Sequence, residues 1–290
     1  MKYFGLSQVL LNMCMHLGKA GRYFAYNIKY FQVRHKFPNL LKPKDLSEHI
    51  LSAMLTKEYF KYSYYADKVA VRKYIESKGL GNHLLNVYGV WDSSEEIDFE
   101  KLPDKFALKP NNGSGGHFIC YDKTKIKDID DLRKRMNQAL ILNKNYVWEP
   151  HYYRIPPKLY AEELIETENH EAPIDYKFMC INGKIGECLI ILERTENSHK
   201  VMRVDEQGNI LPYTIDKYLS TKNIFEKPRH WDEMVSIAKI LSKDFKCVRV
   251  DLYEYKDKVY FGELTFTPAG GILFTNNYYS LVQEGKLFND

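Results

Sequence analysis

The strongest constraint on how this 290-residue chain folds is a set of apolar runs that double back through short polar breaks. Asp175 to Ile181 and Ile185 to Glu193 flank Asn182-Gly183, a pair that tolerates the positive φ angles of a tight hairpin. Val248 to Tyr255 and Val259 to Thr265 flank Lys256-Asp257-Lys258 in the same way. Phe106 to Lys109 is cut off by Pro110, and His117 to Tyr121 returns after a long, polar, glycine-rich tip. Leu84 to Val90, Lys158 to Ile165 and Val201 to Val204 read as further strands. Helices are expected over residues 45–61, with Asp45 or Ser47 near the start, and over 66–79, 128–142 and 228–245. Trp91 to Pro103 reads as an acidic surface loop and Pro150 to Pro157 as irregular. Antiparallel hairpins backed by helices define an α+β fold. A boundary near Tyr146 to Pro157 divides a glycine-loop lobe over 66–150 from a carboxylate-bearing lobe over 151–290, and a helical basic region over 1–65 precedes both.

Charge is unevenly spread. Residues 1–44 hold eight Lys or Arg and no acid, and the whole chain has a net charge of +4, so the remainder is net acidic. A basic arm on an acidic body fits an anionic partner: phospholipid, nucleic acid or a polyanionic glycan. Leu6, Val9, Leu10, Met13, Leu17, Ala20 and Phe24 recur at helical spacing, with Lys19, Arg22 and Lys29 among them. That pattern suits a helix lying on a membrane surface, or one packed on the protein's own core. The run from Tyr3 to Gly18 is too short to span a bilayer. The five cysteines form no Cys-x-x-Cys pair and read as reduced thiols of a cytoplasmic protein. The 23 tyrosines fit a Tyr-rich surface and core better than a ligand platform.

Three separated stretches carry the chemistry. In Lys109-Pro110-Asn111-Asn112-Gly113-Ser114-Gly115-Gly116, glycines let backbone amides approach phosphate oxygens, and Lys109 adds a positive charge at a strand end. No Gly-Lys-Ser/Thr follows, so this is not a Walker loop, and a strand rather than a helix follows, so it is not a Rossmann loop. Alone it reads as a hairpin with a floppy tip. Pairing around Lys256-Asp257-Lys258 sets Asp251 opposite Glu263, where two like charges repel unless a cation such as Mg²⁺ joins them. Arg249 has the parity of Asp251 and so the same face. An exposed charge cluster is the alternative. Thr265 to Gly271 forms a turn whose amides suit an oxyanion, and Glu162-Glu163-Leu164-Ile165 ends a strand where an acid suits ribose hydroxyls. Truncating Asp251 or Glu263 to alanine is expected to leave folding nearly unchanged.

Taken together, these runs resemble the ATP-grasp superfamily in the order of its carboxylate–amine ligases. Residues 66–72, 102–109, 175–178, 241–245 and 260–265 further resemble its teichuronopeptide-biosynthesis (TupA-like) branch. The resemblance implies an ATP-grasp fold of two α+β subdomains clasping ATP, with a helical basic amino-terminal extension, and a requirement for Mg²⁺. Carried over residue by residue, Lys68, Lys109 and Lys177 would contact phosphate, and Gly113, Ser114, Gly115 and Gly116 would cover it. Glu162, Glu163 and Leu164 would hold adenosine. Asp251 and Glu263 would bind Mg²⁺, with Thr265 where many relatives have an asparagine. Arg249 would steady an acyl phosphate beside Gly270 and Gly271. The implied reaction joins an amino acid or other amine to a uronic acid of a polysaccharide or lipid-linked glycan of the bacterial surface. A kinase or transferase acting on a sugar, and a non-catalytic binding module, are the alternatives. The expected setting is cytoplasmic and peripheral at the inner membrane face through residues 1–36, with no nucleic acid.

Overall fold

Period-two alternation becomes two antiparallel sheets in the computed structural model, which describes residues 10–113, 115–144, 148–167, 173–192, 199–221 and 224–289. The longer helices there are α1 (Gly18–Arg34), α2 (Leu46–Met54), α3 (Val71–Ser77), α4 (Ile129–Lys144), α5 (Trp231–Ser242) and α6 (Tyr278–Lys286). The strands are β1 (Val87–Trp91), β2 (Phe106–Pro110), β3 (Phe118–Cys120), β4 (Leu159–Glu162), β5 (Asp175–Ile181), β6 (Lys184–Leu192), β7 (Lys200–Val204), β8 (Cys247–Tyr255) and β9 (Lys258–Thr265). The fold is α+β, as the hairpin pattern predicts. Packing divides it into two units. One comprises Lys61–Tyr146 and His151–Pro173; the other comprises Met1–Phe60, Val147–Pro150 and Ile174–Asp290.

The first unit is built on the sheet β1-β4-β2-β3. Strand parity sends Phe106 and Leu108 of β2 and Leu159 and Ala161 of β4 into one core with Leu132, Met136 and Leu140 of α4. Lys109, Tyr160 and Glu162 therefore lie on the opposite face. Residues 91–103 are not the acidic surface loop expected from their charge. Ile97, Phe99 and Leu102 are buried in this core, and Arg133 of α4 donates to the carbonyls of Ser94 and Ile97. The helix expected over 66–79 starts only at Val71. Asp67 Oδ1 accepts from the amides of Val69 and Ala70 (2.8 and 3.2 Å) and its carbonyl from Val71, so Asp67 caps a turn that leads into the helix.

The second unit carries the sheet β7-β6-β5-β8-β9. Phe178 and Cys180 of β5 and Val248, Val250 and Leu252 of β8 are buried, as are Trp231, Met234, Ile237 and Leu241 of α5, which packs on β5 and β8. The β8–β9 hairpin has a two-residue turn in which Lys256 and Asp257 both take positive φ, not the three-residue turn expected. Tyr255 pairs with Lys258, Leu252 with Phe261, but Asp251 with Glu263, because a β-bulge at Gly262 inserts one residue. The bulge has a large effect on orientation. Phe261 and Leu264 both face inward with Leu252 and Val250. Glu263 and Thr265 are turned to the outer face, which Asp175, Lys177, Arg249, Asp251 and Tyr253 share.

The amino-terminal stripe is not one helix. A helical segment over residues 10–15 ends when the amides of His16 and Leu17 reach back to Met13 and Cys14, and Gly18 (φ 67°) opens α1. Gly21, Ala25, Tyr26 and Tyr30 form its buried face. Tyr26 donates to the Trp148 carbonyl (3.1 Å) and Tyr30 to Asp45 (2.6 Å), the capping residue of α2. Leu6 and Val9 of the stripe lie outside the described residues.

A Cβ on Gly262 would stand 2.7 Å from the Tyr253 ring and 3.1 Å from the Asp251 carbonyl oxygen. Gly262→Ala is therefore expected to destabilise the protein by about 1–3 kcal/mol, the cost of overpacking. Urea unfolding reads this out, and a shift under about 0.5 kcal/mol would show the bulge to be slack.

Candidate functional site

In the first unit the site begins with Asn111, fully buried just past β2. Its side chain accepts from the Lys158 amide (2.8 Å) and donates to the Pro156 carbonyl (3.0 Å), fixing the loop that enters β4. Its own carbonyl accepts the Lys68 amide (2.9 Å), which follows the capping Asp67 and so has no acceptor within the turn. Lys68 Nζ then donates to the Gly113 carbonyl (2.8 Å). Lys109 sits diagonally across from Glu162 and binds its Oε1 at 2.6 Å. Lys68, Lys109, Gly113 and Glu162 are thus tied into one group around Asn111 and the β2–β4 ladder. Burial, and then the charges of Lys109 and Lys68, lower the pKa of His117 beyond the loop, so its imidazole is neutral at pH 7.

The glycine run has the conformations its composition demands. Gly113, Gly115 and Gly116 all take positive φ (68°, 86° and 71°). A Cβ on Gly116 would also meet Cβ of Ala139 on α4 at 2.6 Å, so this glycine is needed for close packing. Ser114 lies outside the described residues. Further along, the Glu163 amide donates to the Asn86 carbonyl (2.9 Å) and its carboxylate accepts from Asn86 Nδ2 (3.0 Å). Leu164 follows, half-buried, after β4 ends.

In the second unit the outer face of β5, β8 and β9 carries a dense charge cluster. Arg249 Nε donates to Asp251 Oδ1 and Arg249 Nη2 to Oδ2, both at 2.6 Å. Lys177, directly across on β5, donates to Asp251 Oδ2 (2.5 Å) and lies 3.3 Å from Asp175. Arg249 also reaches Glu263 Oε1 (3.3 Å) and the Thr265 hydroxyl (3.1 Å), which itself donates to Glu263 (3.0 Å). Burial acts against the charge on Arg249, but Asp251, Glu263 and Asp175 outweigh it and hold the guanidinium firmly protonated. Burial, followed by the Asp175 and Asp251 charges, raises the Tyr253 pKa, so the phenol stays protonated, hydrogen-bonded to Asp175. The Pro268–Gly271 turn has three successive residues at positive φ: Ala269, Gly270 and Gly271. The Gly270 amide donates to the Thr267 carbonyl (2.8 Å), and its carbonyl accepts from Trp148 Nε1 (2.9 Å).

Asp251 and Glu263 thus stand side by side, as the hairpin register predicts, joined by Arg249, with Lys177 on Asp251 and Thr265 on Glu263. Strand parity alone would have found Asp175 with Lys177 and Tyr253 with Asp251. The lone glycine inside the Val259 to Thr265 run is a signal that could have marked the bulge at Gly262, whereas nothing in the sequence marks Asn111 as a staple. Among the described residues no group of three or more His, Cys, Asp or Glu forms a metal cage. Two hard carboxylate oxygens on adjacent strands suit a Mg²⁺ that completes its shell with water and phosphate. Asp251 is the buried member of the pair and Glu263 the more accessible one, at 1% and 31% side-chain exposure. The Thr265 hydroxyl braces Glu263 in place.

Burial alters the expected cost of truncation. Asp251→Ala would leave Arg249 and Lys177 without their shared partner, so a loss of about 3–5 kcal/mol is expected, while Asp251→Asn should cost less. Asn111→Ala should cost about 1–3 kcal/mol and speed hydrogen exchange at the Lys68 amide. Chemical denaturation and exchange measure both, and an unchanged Lys68 amide would contradict the staple.

The chain resembles several known proteins. A D-alanine–D-alanine ligase from Bacillus anthracis complexed with ATP is 16% identical, with 77% of this chain and 66% of that one covered and a TM-score of 0.45. The ATP-grasp ligase PsnB complexed with a minimal precursor is 14% identical, with 71% and 54% covered and a TM-score of 0.41. The chain therefore spans about half to two thirds of the length of these two structures. A cytidylate kinase from Staphylothermus marinus is 28% identical over 170 residues, 56% of this chain and 86% of that protein. The TupA-like ATPgrasp family model matches residues 48–284, which include both charge clusters, and the chain belongs to that family.

Proposed function

We propose that this protein is an ATP-dependent carboxylate–amine ligase. The observation that carries the reading is the Asp251–Glu263 pair with Arg249 and Lys177 on one face of the β5–β8–β9 ladder. In this reading Asp251 and Glu263 hold Mg²⁺, which would supply charge neutralisation at the transferring phosphate. Lys177 and Arg249 then exchange Asp251 for phosphate oxygens or the acceptor carboxylate. Lys68 and Lys109 take phosphate oxygens beside Gly113, Gly115 and Gly116, with Lys109 leaving Glu162. Glu162, Glu163 and Leu164 serve the nucleoside. The acceptor carboxylate oxygen attacks the γ-phosphorus and the bond to ADP breaks. The amine nitrogen then attacks the acyl carbon, phosphate leaves, and the amine gives up a proton.

The acceptor and the setting rest on family membership. We propose a uronic acid of a capsular or cell-wall glycan as acceptor and an amino acid as amine. The same nucleotide site would serve a kinase acting on a sugar hydroxyl, and the product separates the two.

With ATP, Mg²⁺, a uronic-acid glycan and a mixture of amino acids, the expected products are ADP, phosphate and an amide seen as a mass shift. Hydroxylamine in place of the amino acids should trap a hydroxamate. A phosphorylated glycan without an amide would identify the kinase instead. Asp251→Asn and Glu263→Gln should each lower turnover roughly 100-fold or more, several kcal/mol of lost charge stabilisation. Full turnover in both would reject the metal assignment.

A further inference from the structure

The amino-terminal helices present apolar side chains that stand exposed among the described residues. Leu10, Met13, Leu17 and Phe24 are 56%, 63%, 70% and 50% exposed, and Ala20 between them is exposed as well. Phe31 continues the stripe along α1 and stacks on exposed Phe37, ring centroids 4.8 Å apart. These are not side chains that failed to find the core. The opposite face of α1 is already buried through Gly21, Ala25, Tyr26 and Tyr30 and is pinned by hydrogen bonds to Trp148 and Asp45. The helix therefore has two apolar faces, of which its own unit uses one. A run of large apolar side chains left in water marks a contact surface.

Charge narrows the occupant. Residues 1–44 carry eight Lys or Arg and no acid. Arg34 turns inward to the Leu273 and Asn276 carbonyls, and Lys36 to Asp45. Lys19, Lys42 and Lys44 stay exposed on the same segment. Lys19 is on the helix itself, and a cation beside an apolar, aromatic-rich helical face matches a bilayer interface, where rings and aliphatic groups enter the acyl boundary and lysines meet headgroup phosphates. Among the described residues no helix is long and apolar enough to cross a membrane, so the contact is a surface one.

We propose that the exposed stripe from Leu10 to Phe37 docks on an anionic lipid bilayer, lying in the plane of its headgroups. The proposal is independent of the reaction. The test is co-sedimentation of the full chain with vesicles of phosphatidylcholine alone and with a third phosphatidylglycerol. Binding is expected only to the anionic vesicles, and should fade as salt shortens the Debye length from about 10 Å at 0.1 M to about 3 Å at 1 M. The double variant Leu17→Ser, Phe24→Ser changes only exposed positions, so it should fold normally by circular dichroism and bind about tenfold or more weakly. Lys19→Gln should weaken binding roughly fivefold. Absence of binding at low salt, or equal binding to both vesicle types, would overturn the proposal. So would retention by the serine variant, which leaves charge alone as the cause. A concentration-dependent dimer, abolished by the serine variant and without vesicle binding, would assign the stripe to a second copy of this chain instead.

Discussion

Asp251 is almost wholly withdrawn from water, yet it accepts hydrogen bonds from two cations, Arg249 on its own strand and Lys177 on the next. A buried carboxylate is tolerable only when it is paired and its lone pairs are satisfied. The arrangement works in both directions, because Arg249 and Lys177 are themselves poorly exposed and depend on Asp251. Asp175, Glu263, Thr265 and Tyr253 extend the network over three strands. The result is a polar sheet face whose charged groups are cross-linked across three strands. On the reading proposed above, the cations that would meet a polyvalent anion are kept ordered by these carboxylates.

The first unit reaches a comparable end by other means. Asn111 uses its backbone and amide side chain to join β2, the entry to β4 and the Lys68 turn, so two lysines distant in sequence share one scaffold. Lys109 is neutralised by Glu162, while Lys68 is held by a backbone carbonyl of the glycine run.

Much of this was legible in the sequence because alternation and turn chemistry are local. Asn182-Gly183 predicts the β5–β6 hairpin, and both residues take the positive φ angles such turns require. The pairing of Asp251 with Glu263 also follows from counting around a turn, although the count succeeds for an unexpected reason. The turn is one residue shorter than assumed and the bulge restores the difference. What escaped depends on contacts far apart in the chain. Acidic residues between Trp91 and Pro103 outweighed Ile97, Phe99 and Leu102 in a local reading, and only the core under β2 reveals where those three go. Likewise, the spacing from Leu10 to Phe24 shows neither the break before Gly18 nor that Tyr26 and Tyr30 form the side that is buried.

Gly262 contributes no side chain to either face, yet it decides which face the next three residues serve. Because strand residues alternate, removing one position would carry Glu263 and Thr265 toward Trp231 and the core and bring Leu264 out among the charges. The acidic pair is thus encoded in phase as well as in identity. A sequence comparison that scored only matched residues, and let a single-residue gap pass cheaply in this strand, would judge two chains equivalent when one of them had turned its carboxylates inside out.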